Sequence, residues 1–269
     1  MELDSEDPDR EPEDESALKH EMGLTCVSPV MNSDGSFTAR IAWAWNTQIQ
    51  VAIFRHHHNT FELEKQITHK IHFHNEWDPT FYKEMLEGFA TAFVKLCIHE
   101  EDLIIAVDTH GEKNGTSFVH IVDLHTGKFL WRLEDELVWF VSSPCVYDHV
   151  LYVVFGNHGE IMALDMKDRR FNALWHGRWF YDADDEHYAA AEIAVSRSSE
   201  NPALFVYAPT YDMDPKIFCI NRLTGTLYWE YICRGVPTAQ FVQGDVMYVI
   251  PEPEDKPMIA LQPAKCNVN

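Results

Sequence analysis

Val119-His120-Ile121-Val122-Asp123-Leu124-His125-Thr126-Gly127-Lys128-Phe129-Leu130-Trp131 is the stretch on which the fold turns, because its pattern returns three times downstream. Asn221, Thr224, Gly225 and Trp229 stand at the same offsets as Asp123, Thr126, Gly127 and Trp131. Asp165 with Trp175, and the segment Met258 to Gln262, repeat it more loosely. A unit of roughly 40 to 55 residues is therefore iterated, the period of propellers and related arrays. Such a scaffold fixes architecture and leaves function to its loops.

The pattern has a local cause. An Asp or Asn that ends a strand bonds its own backbone two residues on, and Gly127 or Gly225 supplies the positive φ of a tight hairpin. The following Trp carries a large apolar body suited to the wedge between sheets that splay from an axis. Asp123, Gly127, Trp131, Asp165, Trp175, Asn221, Gly225 and Trp229 are thus the expected structural residues of the repeat.

Around this motif each repeat reads as four strands. A first strand (Thr91 to Ile98, Ser143 to Tyr147, Ala189 to Ser196, Thr238 to Gln243) leads through a polar turn to a continuous apolar run. Those runs are Leu103 to Val107, Leu151 to Phe155, Leu204 to Tyr207 and Val246 to Ile250. Continuous hydrophobicity means burial on both faces, as in a sheet held between two others. The third strand carries the Asp or Asn and the fourth carries the Trp. Upstream, Thr38 to Trp45, Gln48 to Arg55 and Phe61 to Ile67 read as meander strands. Asp78-Pro79-Thr80 has the capping chemistry of a helix start, which predicts one short helix near 79–87.

Asp123 to Trp131 and Asn221 to Trp229 together resemble the repeat of the quinoprotein-like β-propellers, whose blades carry an Asp, a Thr-Gly turn and a Trp at these offsets. The resemblance covers roughly residues 88 to 263. It implies an all-β propeller of four-stranded blades around a central channel. That family includes dehydrogenases that bind pyrroloquinoline quinone and calcium, and scaffold proteins that bind other proteins through the same blades. The enzymes stack the quinone on adjacent cysteines, and this sequence has no Cys-Cys pair. A fainter likeness, carried by the Thr-Gly turns, is to the β-rich C-terminal halves of fungal F-box proteins.

Four or five blades can be drawn within a propeller-like domain from residue 24 to 265. The region before Ile67 forms the first, and Phe241 to Lys265 a last one without its Trp strand. Closing a ring calls for a terminal strand in the incomplete blade, and Leu24 to Val30 is the candidate. The other reading is a piece of a larger propeller with an open edge.

Composition bounds the function. The 269 residues carry a formal net charge of -22, and residues 1–22 hold ten acidic residues against Arg10 and Lys19. That acidic tail has too little apolar surface to fold and is expected to be disordered. A surface this acidic repels phosphate backbones and anionic headgroups, so neither nucleic acid nor membrane is an expected partner. The six cysteines show no paired spacing, and the N-terminus has no secretory pattern, which points to a reduced, cytoplasmic address.

Two clusters carry candidate chemistry. His56, His57 and His58 fall in one turn, followed by His69, His72 and His74, but a solvated turn explains them better than a metal site does. No metal and no cofactor is therefore assigned. Asp182-Ala183-Asp184-Asp185-Glu186-His187 lies beside Trp175, Trp179, Phe180 and Tyr181, the mixture of aromatic anchor and charged rim that binds proteins. Trp179, Tyr181, Asp184 and Asp185 are the expected contact residues. The sequence thus points to a protein-binding or scaffold module for a basic partner. The alternatives are an enzyme working from the acidic or histidine-rich loops and, after it, a quinone-dependent oxidoreductase.

Overall fold

One oxygen closes the founding hairpin. Asp123 Oδ1 accepts from the backbone N–H of His125 at 3.2 Å, the N–H of Thr126 at 2.9 Å and the Thr126 hydroxyl at 2.8 Å. Asn221 Oδ1 does the same for Leu223 and Thr224 at 2.9 and 3.2 Å, and Gly127 and Gly225 complete these turns at φ 69° and 73°. The turns recur at one end of successive sheets in the computed structural model. It describes residues 24–45, 48–58, 60–70, 91–110, 117–135, 141–155, 160–178, 192–208, 215–233, 237–251 and 258–263.

Those residues form five antiparallel meanders. The first sheet holds β1 (Leu24–Met31), β2 (Phe37–Trp45), β3 (Gln48–His57) and β4 (Thr60–Lys70). The second holds β5 (Thr91–His99), β6 (Asp102–His110), β7 (Ser117–Asp123) and β8 (Phe129–Asp135). The third holds β9 (Cys145–Tyr147), β10 (Val150–Phe155), β11 (Glu160–Asp165) and β12 (Asn172–Arg178). The fourth comprises β13 (Glu192–Val195), β14 (Ala203–Ala208), β15 (Lys216–Asn221) and β16 (Leu227–Ile232). The fifth comprises β17 (Pro237–Gln243), β18 (Val246–Pro251) and β19 (Ile259–Leu261).

The first strands lie side by side, β1 by β5, β5 by β9, β9 by β13 and β13 by β17. That is the blade order of a β-propeller, in which each sheet turns its face to the next. The core confirms it strand by strand. On β6, Leu103, Ile105 and Val107 pack with the first sheet, whereas Ile104 and Ala106 pack with the third. On β10, Leu151 and Val153 face the second sheet, and Tyr152 and Val154 face the fourth. On β14, Leu204, Val206 and Ala208 face the third sheet, and Ala203, Phe205 and Tyr207 face the fifth. The continuous apolar runs are thus two alternating sets, one for each neighbour.

Outer strands latch onto the turn of the following sheet. Trp175 on β12 donates its Nε1–H to the Arg222 carbonyl at 3.0 Å, and Trp229 on β16 donates to the Gln262 carbonyl at 3.1 Å. In the first sheet the latch is a histidine. The buried His69 ring places Nε2 at 2.8 Å from the Leu124 carbonyl, a contact that only the Nε2–H form can make. A Cβ on Gly127 would come within 2.6 Å of the His69 ring, and one on Gly225 within 2.7 Å of Trp175. These glycines supply the backbone twist and also the flat seat for the incoming ring. Trp131 on β8 packs against the cluster of Leu151, Leu164 and Met166 between the second and third sheets.

The third sheet solves the same turn differently. Its Asp165 Oδ1 accepts from the Lys167 N–H at 2.9 Å, but a 3-10 turn at Lys167–Arg169 follows and no glycine is present. Asp168, Arg169 and Phe171 take φ of 55°, 55° and 50° there.

Two expectations require comment. Leu24 to Val30 does not close the fifth sheet. It forms β1 and pairs with β2, with Leu24 opposite Trp43 and Met31 opposite Phe37. The short Asn32–Ser36 turn makes this pairing nearly free of loop-closure cost, and the Asn32 N–H to Ser36 carbonyl bond of 2.7 Å fixes it. Among the described residues the fifth sheet has three strands, and none hydrogen-bonds to the first sheet. The expected helix near 79–87 lies outside the described residues.

Replacing Trp175 by Phe keeps an aromatic ring but removes the bond to Arg222 and part of the indole packing, and should cost about 1 to 3 kcal/mol in a denaturant titration. Trp229→Ala should cost about 3 to 5 kcal/mol, and unchanged melting would show that these rings do not bind the sheets together.

Candidate functional site

The first sheet overhangs the rest. Arg40 on β2 hydrogen-bonds the Glu100 carbonyl in the β5–β6 turn and pairs with Glu101 Oε1 at 2.5 Å, so its level marks the rim of the second sheet. Arg40 sits opposite Ile53, and Ile53 opposite Lys65. Phe37, His56 and Phe61 share a row three residues further out on β2, about 10 Å along the strand from Arg40 at ~3.3 Å per residue. Lower down, the same outer face is polar. There Gln50 Oε1 accepts from Thr68 at 2.7 Å and Gln66 at 3.5 Å, and Gln50 Nε2 donates to Gln48 at 3.3 Å.

The overhanging part of that face is apolar. Met31 pairs with Phe37 and Phe37 with His56, while His56 packs on Phe61 with ring centroids 4.5 Å apart. Phe54 and Leu63 form the adjoining row. Phe61 is 68% exposed, Met31 67% and Leu63 53%. Along β4 these alternate with exposed Glu62 and Glu64, and Glu62, opposite Arg55, lies on the other face of the strand. Soluble domains rarely leave such a patch open unless it is an interaction surface.

Below the overhang, the turns of the second and third sheets interlock through charge. Arg169 reaches back from the third sheet, with Nη2 at 2.8 Å from Asp102 Oδ1 and Nη1 at 3.1 Å from Asp123 Oδ2. Asp102 is almost fully buried and its Oδ1 has no aligned hydrogen bond, so Arg169 serves it as an ion pair. Burial pushes the Asp102 carboxyl above its usual range despite the guanidinium. Asp123 goes the other way. Desolvation raises it, but the bonds from Thr126 and Arg169 outweigh that and hold it at about 2. Glu101 bonds both Arg40 and His125, which lower its carboxyl against the opposing effect of desolvation.

The same seam gathers three side chains that the sequence did not single out. His99 Nε2 lies 3.2 Å from His149 Nδ1, and His149 Nδ1 lies 3.5 Å from Glu100 Oε1. His99 and Glu100 come from the start of the β5–β6 turn and His149 from the β9–β10 turn, fifty positions along the chain. Only the packing of the sheets brings them together.

The residues expected from the sequence fall elsewhere. Trp179, Tyr181, Asp184 and Asp185 belong to the stretch between β12 and β13, outside the described residues, as do His72 and His74. The histidine run is divided, since His56 and His57 end β3 and His58 turns at φ 48°. His56 packs between Phe37 and Phe61, and His69 is a structural latch. Cys97, Cys145, Cys219 and Cys233 are free thiols, and burial pushes Cys97 and Cys145 up to about 11. The apolar patch had one signal in the sequence, the alternation Phe61-Glu62-Leu63-Glu64.

No protein-family model matches the chain, and no curated protein matches it. Among solved structures it is similar to the quinohemoprotein alcohol dehydrogenase of Comamonas testosteroni, at 16% identity and TM-score 0.39, over 55% of this chain and 22% of that one. BamB of Moraxella catarrhalis is similar at 14% identity and TM-score 0.36, over 87% and 70% of the two chains. The periplasmic gluconolactonase PpgL of Pseudomonas aeruginosa is similar at 13% identity and TM-score 0.49, over 87% and 65%. The chain thus spans 22% of the length of the first of these. The fold rests on the sheet order and the core described above.

Asp123 gives the seam a pH dependence of defined sign. Its folded value near 2 lies below the ~3.9 of a free Asp, so its contribution is present above about pH 4 and lost as pH falls toward 2. Asp102 acts in the opposite sense, because its raised value makes protonation favour the folded state. Thermal melts of Asp123→Asn, which keeps the turn as Asn221 does, should show a smaller loss of stability between pH 4 and 2 than wild type. Equal losses would remove Asp123 from the acid response.

Proposed function

We propose that this chain is a protein-binding module that takes a basic partner on the overhanging face of its first sheet. The observation that carries the reading is the exposed apolar patch of Met31, Phe61 and Leu63, on a sheet whose last strand, β4, also carries exposed Glu62 and Glu64. Apolar anchors supply affinity when a partner dehydrates them, and carboxylates on the same outermost strand favour a cationic partner and speed its approach. The formal charge of -22 supports the same choice of partner. The sheet itself is held by long antiparallel ladders and by Arg40 and His69 on its inner face, so the patch is presented on a rigid element. Trp179, Tyr181, Asp184 and Asp185 are proposed as a second set of contacts for that partner, and a cytoplasmic address is part of the proposal.

An affinity pull-down tests it with wild type, Phe61→Ala/Leu63→Ala, and Trp179→Ala/Asp184→Ala/Asp185→Ala. The exposed double variant should melt with wild type yet lose the recovered proteins, and recovery by wild type should fall when salt is raised, as screening predicts. Recovery of the same proteins by wild type and double variant would remove the overhang from binding. The triple variant reports separately on the second set.

A further inference from the structure

We propose that His99, Glu100 and His149 form a binding site for a divalent transition ion of the zinc class at the seam between the second and third sheets. The donor set is two imidazole nitrogens and one carboxylate oxygen, the three-ligand complement that zinc accepts with a fourth position left to water. All three donor atoms lie within 4.8 Å of one another. A tetrahedral ion with bonds of about 2.05 Å separates its ligand atoms by ~3.3 Å. The 3.2 Å between His99 Nε2 and His149 Nδ1, and the 3.5 Å between His149 Nδ1 and Glu100 Oε1, bracket that edge.

The backbone holds the donors in place. Tyr147 pairs with Val150 across the β9–β10 turn, and Asp148 and His149 take φ of 51° and 58° inside it, the double positive-φ form of a two-residue hairpin. His99 pairs with Asp102 across the other turn, where Glu100 takes φ 51° and its carbonyl is bonded by Arg40. The backbone of each turn is thus set by its hairpin, which leaves only the side chains to be ordered when an ion arrives. Glu100 and His149 are exposed, which gives the ion a path from solvent and leaves its fourth position open to water. An ion so placed would tie two sheets together at their turns. This inference stands independently of the protein-binding reading, and a failed pull-down leaves it intact.

The test is calorimetric titration of the full, chelator-treated chain with zinc sulfate. Wild type should bind with a Kd below about 10 μM, and the bound ion should raise the melting temperature, because it binds only the folded state. His149→Asn keeps a residue at ease with positive φ and should weaken binding by about 30-fold or more, as should His99→Ala. Glu100→Gln should weaken it by about 10-fold, and the His56→Ala/His58→Ala control should bind as wild type does. Cobalt substituted for zinc should give the intense visible absorption of tetrahedral coordination in wild type and lose it in His149→Asn. A wild-type Kd weaker than about 100 μM would overturn the site. So would unchanged affinity in His149→Asn and His99→Ala, which places the ions on other histidines.

Discussion

A second strand that is apolar on both faces is stable only between two other sheets, and the rest of this molecule follows from that requirement. The second strands of the middle sheets, β6, β10 and β14, each divide their side chains between the preceding and the following sheet. Burying both faces of one strand commits its neighbours to stack in chain order. It also sets the order of the turns, since a meander returns every first and third hairpin to the same end. The rim is therefore a product of the core, and so are the meetings of turns that occur on it.

How the seams are finished varies with local chemistry. Where a Thr-Gly turn is present, an aromatic ring from the previous sheet lies on the glycine and bonds a carbonyl of the turn. The third sheet has a 3-10 turn in that place and uses its extra length to send Arg169 back to Asp102 and Asp123. The longer turn thus serves a buried carboxylate of the second sheet that the standard hairpin could not reach.

The parts of the fold legible in the sequence are those with local causes. Asp123 and Asn221 announce their turns because the carboxylate or amide bonds nitrogens two and three residues away, and the apolar runs announce burial without any knowledge of what buries them. The assignment of β1 to the first sheet was not legible, since a strand's partner is set by competition among edges. The grouping of His99, Glu100 and His149 was also invisible, because His99 and His149 lie fifty positions apart and meet only through the stacking of β5 beside β9. The run His56-His57-His58 drew attention by composition, yet strand geometry separates its rings. The overhang depends on how far one sheet slides along the next, a quantity that no periodicity records.

The side-chain hydrogen bonds at the seams share a direction. His69, Lys95, Tyr147, Trp175, Asn201 and Trp229 are donors or ring groups from one sheet, and each meets an oxygen belonging to the next sheet along the chain or leading into it. Arg169 is the return contact. Each such bond is lost to both partners whichever sheet opens. Opening the fifth sheet strips Trp229 and Asn201 of their acceptors, and opening the first takes His69 from the Leu124 carbonyl and Arg40 from Glu101. Neither end sheet can therefore loosen without cost to its neighbour.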